Sequence, residues 1–349
     1  MLKDKILLPL DSSSAYTPWL WIGTWSMGGE GFGSHDERES LRVLRTAVDH
    51  NIRHFDTAGF YAHGKSESLL QKILRSDRRD FFISSKGGIV WSGREVRHRA
   101  SPEDLKRQLY ESLDRLKTDY LDLYQLHWPD PEVPISESIA ALKSFQRQGL
   151  IRYWGVGNLT ALQLKTTLRT ERNIPHQAHF NPVHQDHDVL LAGQDLCINC
   201  IVSPLEQGLL GGGKSSSGMS GLGKRDLRNR NPCFSNPEVL KWNCRLNELV
   251  NKHSLSKVSV VLMWICSRPN VHAVIPGPRE IGQLNELLEF KTEVERSGLA
   301  SAGEDVSILS DEKTMNKIPD ELWQHLNKGP ENSQSVTGNG STTSFSPTL

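Results

Sequence analysis

Four side chains that could share one proton stand at or just beyond the ends of short apolar runs. Asp56 closes RHFD, and Tyr61 follows five residues later within FDTAGFYAHGKSE; Lys86 closes FFISSK and His127 closes LYQLH. A free phenol titrates at about 10, too high to trade protons readily at neutral pH. A neighbouring cation favours the phenolate, and a carboxylate behind that cation holds it in place. Asp56, Lys86 and Tyr61 have the makings of such a relay, with Tyr61 giving or taking the proton. His127 could orient a carbonyl oxygen beside the same hydroxyl. Taken singly, each has a plainer reading: Asp56 as a loop cap, Lys86 as a solvated surface group, His127 as a buried ring satisfied by backbone. Their succession at the ends of neighbouring runs is what points to a site.

For those groups to converge, the runs must be strands whose ends open on one mouth. The apolar runs are Leu20 to Ile22, Arg53 to Asp56, Phe81 to Ser85, Tyr120 to Leu126, Arg152 to Val156, Gln177 to Phe180, Ile198 to Val202 and His272 to Ile275. Helical patterns lie between them. The clearest is Ser101 to Leu116, where Leu105, Leu109, Leu113 and Leu116 share a face, Ser101 is an N-cap, Pro102 suits the first helical position and Asp104 completes a capping box. Leu41, Leu44 and Val48 make a second stripe, Ile139, Leu142 and Phe145 a third, and Leu162 with Leu168 a weaker one. Strand and helix alternating about eight times predicts a closed (β/α)8 TIM barrel, with its active site at the C-terminal strand ends; an open doubly wound sheet is the structural rival. Residues 1–296 are expected to form the barrel and 297–349 a C-terminal extension, largely disordered, whose end (PENSQSVTGNGSTTSFSPTL) is poor in apolar residues. From Gly208 to Pro237 the chain is rich in Gly, Ser, Lys, Arg and Asn and reads as a long loop.

Composition narrows the function. The 349 residues carry 41 Lys and Arg against 41 Asp and Glu, a balance that argues against a nucleic-acid binder. A hydrophobic share of 37% is enough for a sizeable core, and no run of 18 apolar residues suggests a membrane span. The first residues, MLKDKILLPLDSSS, lack the pattern of a secretory signal, so a cytoplasmic protein is expected. Cys197-Ile-Asn-Cys200 has C-x-x-C spacing without a second Cys or His pair, which predicts core cysteines and no metal. Gly208 to Ser215 matches the letters of a P-loop, but SSSGMSGLGK after it is a poor helix, so a loop closing over a ligand is the better reading.

Several motifs, in order from about Trp21 to Lys291, together resemble the aldo-keto reductase superfamily: IGTWSMGG, FDTAGFYAHGKSE, ISSKGG, LHWPD, GVGNL, SPLEQGLL and VIPGPREIGQLNE. The resemblance implies reduction of an aldehyde, ketone or sugar carbonyl by NADPH, with NADH as the alternative donor and the reverse oxidation open to the same machinery. It makes Tyr61 the general acid, with Lys86 and Asp56 tuning it and His127 orienting the substrate. It places Asn158 and Gln177 on the nicotinamide carboxamide, Ser203, Leu205 and Gly208 in a loop over the pyrophosphate, Arg279 on the 2′-phosphate and Gln283 near the adenine. Thr24 and Lys214 join the implied cofactor contacts. Four positions depart from the family pattern: Gly157 stands where Ser is frequent, Val202 where an aromatic residue stacks on the nicotinamide, Leu287 where Asn meets the adenine, and Ala62 where Gly follows the tyrosine. They imply a weaker cofactor grip or a shifted coenzyme preference. The partner is a small molecule, with no oligomeric state implied. The superfamily also holds potassium-channel β subunits, so a nucleotide-binding regulatory subunit is the rival reading.

Overall fold

All eight apolar runs become strands of one sheet, because continuous burial on both faces suits a parallel strand between an inner core and a helical layer. In the computed structural model, which describes residues 19–331 except 30, 34–35, 75–77, 93–94, 221, 225 and 297–317, the chain opens with β1 (Ile22–Gly23), β2 (His54–Asp56) and β3 (Phe82–Gly87). An antiparallel hairpin follows, β4 (Ile89–Ser92) and β5 (Glu95–His98). The series then continues with β6 (Leu121–Leu126), β7 (Ile151–Gly157), β8 (Ile174–His179), β9 (Cys197–Val202) and β10 (Val271–Ile275). Apart from the hairpin, neighbours pair in parallel in the order β1-β2-β3-β6-β7-β8-β9-β10. The ring closes where Trp21 N donates to Val274 O at 3.0 Å and Val274 N to Trp19 O at 2.9 Å. The open-sheet rival is thereby excluded. Trp21, Phe82, Leu123, Ile198, Cys200, Ala273 and Ile275 form their own buried cluster, so the barrel is a packed core rather than a pore.

Helices cover the outside: α1 (Glu37–Asp49), α2 (Lys65–Gln71), α3 (Pro102–Leu116), α4 (Ile135–Arg147), α5 (Ala161–Thr167), α6 (His187–Ala192), α7 (Pro237–Lys252), α8 (Lys257–Cys266), α9 (Ile281–Arg296) and α10 (Asp320–Lys328). α3 starts as the capping pattern predicts, with Ser101 Oγ accepting from Asp104 N at 3.1 Å, and buries all four stripe leucines. Leu162 does not belong to its expected stripe: it is 75% exposed, and Leu164 and Leu168, four apart, face the core instead.

Two further differences concern segments that read as loop or extension. The Gly208 to Pro237 stretch folds as successive 3-10 turns, Glu206–Gly208, Lys214–Ser217, Leu227–Arg230 and Pro232–Phe234; the P-loop letters thus lead into one short turn and not into a long helix. Within the C-terminal extension, α10 is ordered and packs on the barrel, burying Leu322 and Leu326, with Ile318 buried just before it. Trp242 Nε1 donates to His325 O at 3.2 Å and Trp264 Nε1 to Asn327 Oδ1 at 2.8 Å. The expectation of disorder for residues 297–317 and 332–349 lies outside the described residues. Among the described residues no helix is long and apolar enough to cross a membrane.

Candidate active site

Parallel register between β2 and β3 sets Asp56 opposite Ser84, and Lys86 two residues on reaches back across the strand ends. Lys86 Nζ donates to Asp56 Oδ2 at 2.5 Å, to Thr57 O at 2.9 Å and to the Tyr61 hydroxyl at 3.2 Å, which uses all three ammonium hydrogens. Asp56 Oδ1 accepts from Ser84 Oγ at 2.9 Å and from Gln177 Nε2 at 2.6 Å. Tyr61 comes to this point because the chain after β2 folds tightly: Ala62, His63 and Gly64 are left-handed, at φ 48°, 53° and 83°. The phenol ring is flanked by Trp25, 6.0 Å away and near-parallel, and by the edge of His127 at 5.7 Å. The four residues singled out from the sequence are therefore together.

Burial, not the neighbouring cation, dominates Tyr61. Desolvation raises its pKa, and the opposing pull of Lys86 does not cancel it, so the phenol holds its proton at neutral pH. Lys86 does pull toward the phenolate, as expected, but burial, which the sequence does not show, outweighs that pull. For Lys86, burial works against the charge, but Asp56 and Tyr61 more than offset it and the ammonium persists. His127 is held well below its ordinary value, by burial first and then by the charge of Lys86, and is neutral; its Nδ1 is buried without a hydrogen-bond partner. A neutral O–H donor, a neutral imidazole and a fixed ammonium facing one point can protonate an oxygen that is acquiring negative charge.

A cleft runs from Tyr61 along the strand ends to α9. Of the residues expected at the cofactor, Ser203, Leu205, Gly208, Arg279 and Gln283 line it, as do Val202 and Leu287, two of the departures from the family pattern. Thr24, Gln177 and Asn158 contact the relay's own residues: Thr24 Oγ1 donates to Asp56 O at 3.1 Å, Gln177 Nε2 to Asp56, and Asn158 Nδ2 to His127 O at 2.9 Å. The Lys214 side chain lies outside the described residues.

The cleft wall after β9 is held in an unfavourable shape, with the non-glycine residues Ser203, Glu206 and Gln207 at φ 50°, 42° and 53°, beside Gly208 at 97°. A buried carboxylate anchors it. Glu206 accepts from Asn181 Nδ2 and Asn231 Nδ2, each at 2.7 Å, and lies 2.8 Å from His179 Nε2. Burial opposes its charge, but the charge of His179 and the hydrogen bonds from His179 and Asn231 prevail and hold its pKa at about 2. Farther along, Leu227 N donates to Gly31 O at 2.7 Å, bridging the cleft. Arg228 makes a two-pronged pair with Asp226 at 2.9 and 2.8 Å and stands over the Phe32 ring. Arg279 donates to Phe32 O, and its pKa is lowered by burial and then by the charge of Arg228. A half-buried Arg279 with a second guanidinium beside it suits a site that receives an anion, and glycines 211, 212 and 213 let a ligand approach the backbone beside them. Arg228, Phe32 and Glu206 were not singled out from the sequence: they sit in loops without periodicity, where only the fold shows what they meet.

This chain belongs to the aldo/keto reductase family, whose model matches residues 20–294. It is similar to aldo-keto reductase YhdN of Bacillus subtilis, with 31% identity over 278 residues, 77% of this chain and 83% of the relative. It is 26% identical over 301 residues to the NADH-specific methylglyoxal reductase of Escherichia coli, covering 80% and 91%. Among solved structures, the glycerol dehydrogenase of Gluconobacter oxydans superposes with a TM-score of 0.69 at 26% identity, over 85% of this chain and 95% of that one.

Proposed function

We propose that this chain reduces the carbonyl of an aldehyde, ketone or sugar to the alcohol with NADPH, and catalyses the reverse oxidation, with Tyr61 as the acid or base. The observation that carries this reading is the buried line from Asp56 to Lys86 at 2.5 Å and from Lys86 to the Tyr61 hydroxyl at 3.2 Å. A nicotinamide bound in the cleft would supply or accept the hydride. His127, neutral and beside the hydroxyl, orients the carbonyl oxygen. Tyr61 donates its proton to that oxygen as charge develops, and Lys86 stabilises the phenolate left behind while Asp56 keeps the ammonium in place. In the reverse direction the phenolate takes the proton.

The cleft fits a dinucleotide phosphate. Ser203, Leu205 and Gly208 would hold the pyrophosphate, with Lys214 beside them, Arg279 the 2′-phosphate and Gln283 the adenine; Leu287 offers the base an apolar surface. Asn158 and Gln177 would meet the nicotinamide carboxamide, with Thr24 bracing Asp56 beneath. Arg279 favours NADPH, although one relative is NADH-specific.

The test is NADPH consumption against a panel of aldehydes, ketones and sugars, with Tyr61→Phe beside wild type. Turnover that disappears in the variant, with NADPH binding retained, supports the mechanism; equal turnover overturns the assignment of Tyr61. NADPH binding with no turnover on any carbonyl, and a protein partner captured regardless of Tyr61→Phe, would favour the regulatory-subunit reading.

A further inference from the structure

We infer that Arg115 and Glu67 are positioning residues that set where the Tyr61 phenol stands, an inference that rests on Tyr61 being the acid. The turn carrying Tyr61 is not one the chain adopts unaided, since Ala62 and His63 are left-handed in succession without being glycine. Arg115 reaches up from α3 beneath both ends of that turn. A Cβ on Gly59 would lie 2.6 Å from Arg115 Nη2, and one on Gly64 would lie 2.4 Å from Arg115 Cδ and 2.6 Å from Nε, so both glycines rest directly on this side chain.

The arginine is itself fixed. Its Nε donates to Glu67 Oε2 at 2.6 Å, and Glu67, on α2 immediately after the turn, is fully buried. The other Glu67 oxygen accepts from Ser85 Oγ at 2.6 Å. Ser85 precedes Lys86 on β3, and successive strand side chains point to opposite faces. One buried carboxylate thus ties α3, the Tyr61 turn and the Lys86 strand together from the side away from the substrate. Removing one partner of such a pair leaves the other buried and unpaired, and the turn loses its support. Displacement of a proton donor by a fraction of an ångström is expressed in turnover more than in binding.

The test compares kcat on the best substrate of the panel with the NADPH dissociation constant, for Arg115→Ala and Gly59→Ala, alone and combined. Gly59 is not left-handed, so alanine there adds no backbone strain and acts only by pushing the guanidinium aside. Arg115→Ala should lower kcat by about tenfold or more with NADPH binding unchanged, and added guanidinium ion should restore part of the loss. Gly59→Ala should lower kcat in the wild-type background and add nothing to Arg115→Ala. Wild-type kcat in either single variant would overturn the inference. So would parallel losses of kcat and NADPH binding without guanidinium rescue, because that pattern marks general structural damage. If Arg115→Ala does not fold, Gly59→Ala and Glu67→Gln are judged by the same split. Tyr61→Phe in the same assay separates the two levels: if it is active, the underlying reading fails, whereas an inactive Tyr61→Phe beside a normal Arg115→Ala overturns the strut alone.

Discussion

At Tyr61 burial and the Lys86 charge act in opposite directions, and the larger effect of burial makes the group an acid in the resting site. Carbonyl reduction should accordingly be flat through neutral pH and decline on the alkaline side, as the phenol loses the proton it must give. Lys86→Met removes the cation that pulls on the phenol, so the alkaline limb should move to still higher pH while the rate falls for want of a charge beside the phenolate. A pH profile whose limb does not move would count against Lys86 as the tuning group. Arg279→Ala should weaken NADPH by roughly ten- to a hundredfold, the range for losing a hydrogen bond to a charged group, and NADH far less; equal losses by titration would remove the 2′-phosphate role. Asp56, Tyr61, Lys86 and His127 were legible in the sequence because each sits at or just after a strand end. The protonation of Tyr61 was not, since desolvation depends on what the fold packs around the ring. Nor was the partner of Gln177, whose bond to Asp56 spans the barrel mouth.

Elements whose local chemistry agrees with their packing were read well. α3 begins at Ser101 and buries the face its leucines mark, and Ser101→Ala should lower stability by about 1 kcal/mol in a thermal melt. Elements stabilised mainly by distant contacts were not. The β4–β5 hairpin shows no alternation strong enough to announce it, yet it carries Trp91, which donates to Phe60 O at 3.0 Å and stacks on that ring beside the mouth. α10 is nine residues long, with Leu322 and Leu326 as its core contacts, too short a stripe to stand out from polar surroundings. The turn after β9 depends on Glu206. Glu206→Gln would keep the side chain's size but lose the charge that His179 and two asparagines satisfy, so NADPH should dissociate faster while kcat at saturating cofactor changes little. Stopped-flow release of the bound nucleotide measures this, and an unchanged off-rate would show that the turn holds its shape without the anchor.

Across the whole molecule the eight-strand count was legible because a parallel barrel strand is a continuous apolar run, and the order of runs then determines which ends meet. Response to acid is a property of the entire fold. Burial lowers His176 to about 4 and His184 to about 3, from about 6.5 in the unfolded chain. Below that value the unfolded state binds protons that the folded state refuses, so stability falls as the pH drops. Glu206, at about 2 when folded, adds a loss in the same direction as the pH passes below the ordinary carboxylate range. The urea midpoint should therefore fall between about pH 7 and pH 4, and more shallowly in His176→Gln; a midpoint constant over that interval would contradict the neutral buried imidazoles. α10 carries a consequence of another kind. It is hydrogen-bonded to Trp242 and Trp264 and buries two leucines, yet its covalent link to the barrel runs through residues 297–317. Two polypeptides, one ending at 296 and one beginning at 318, should assemble as a complementing pair, and the shorter piece becomes a detachable tag that the barrel recognises by shape.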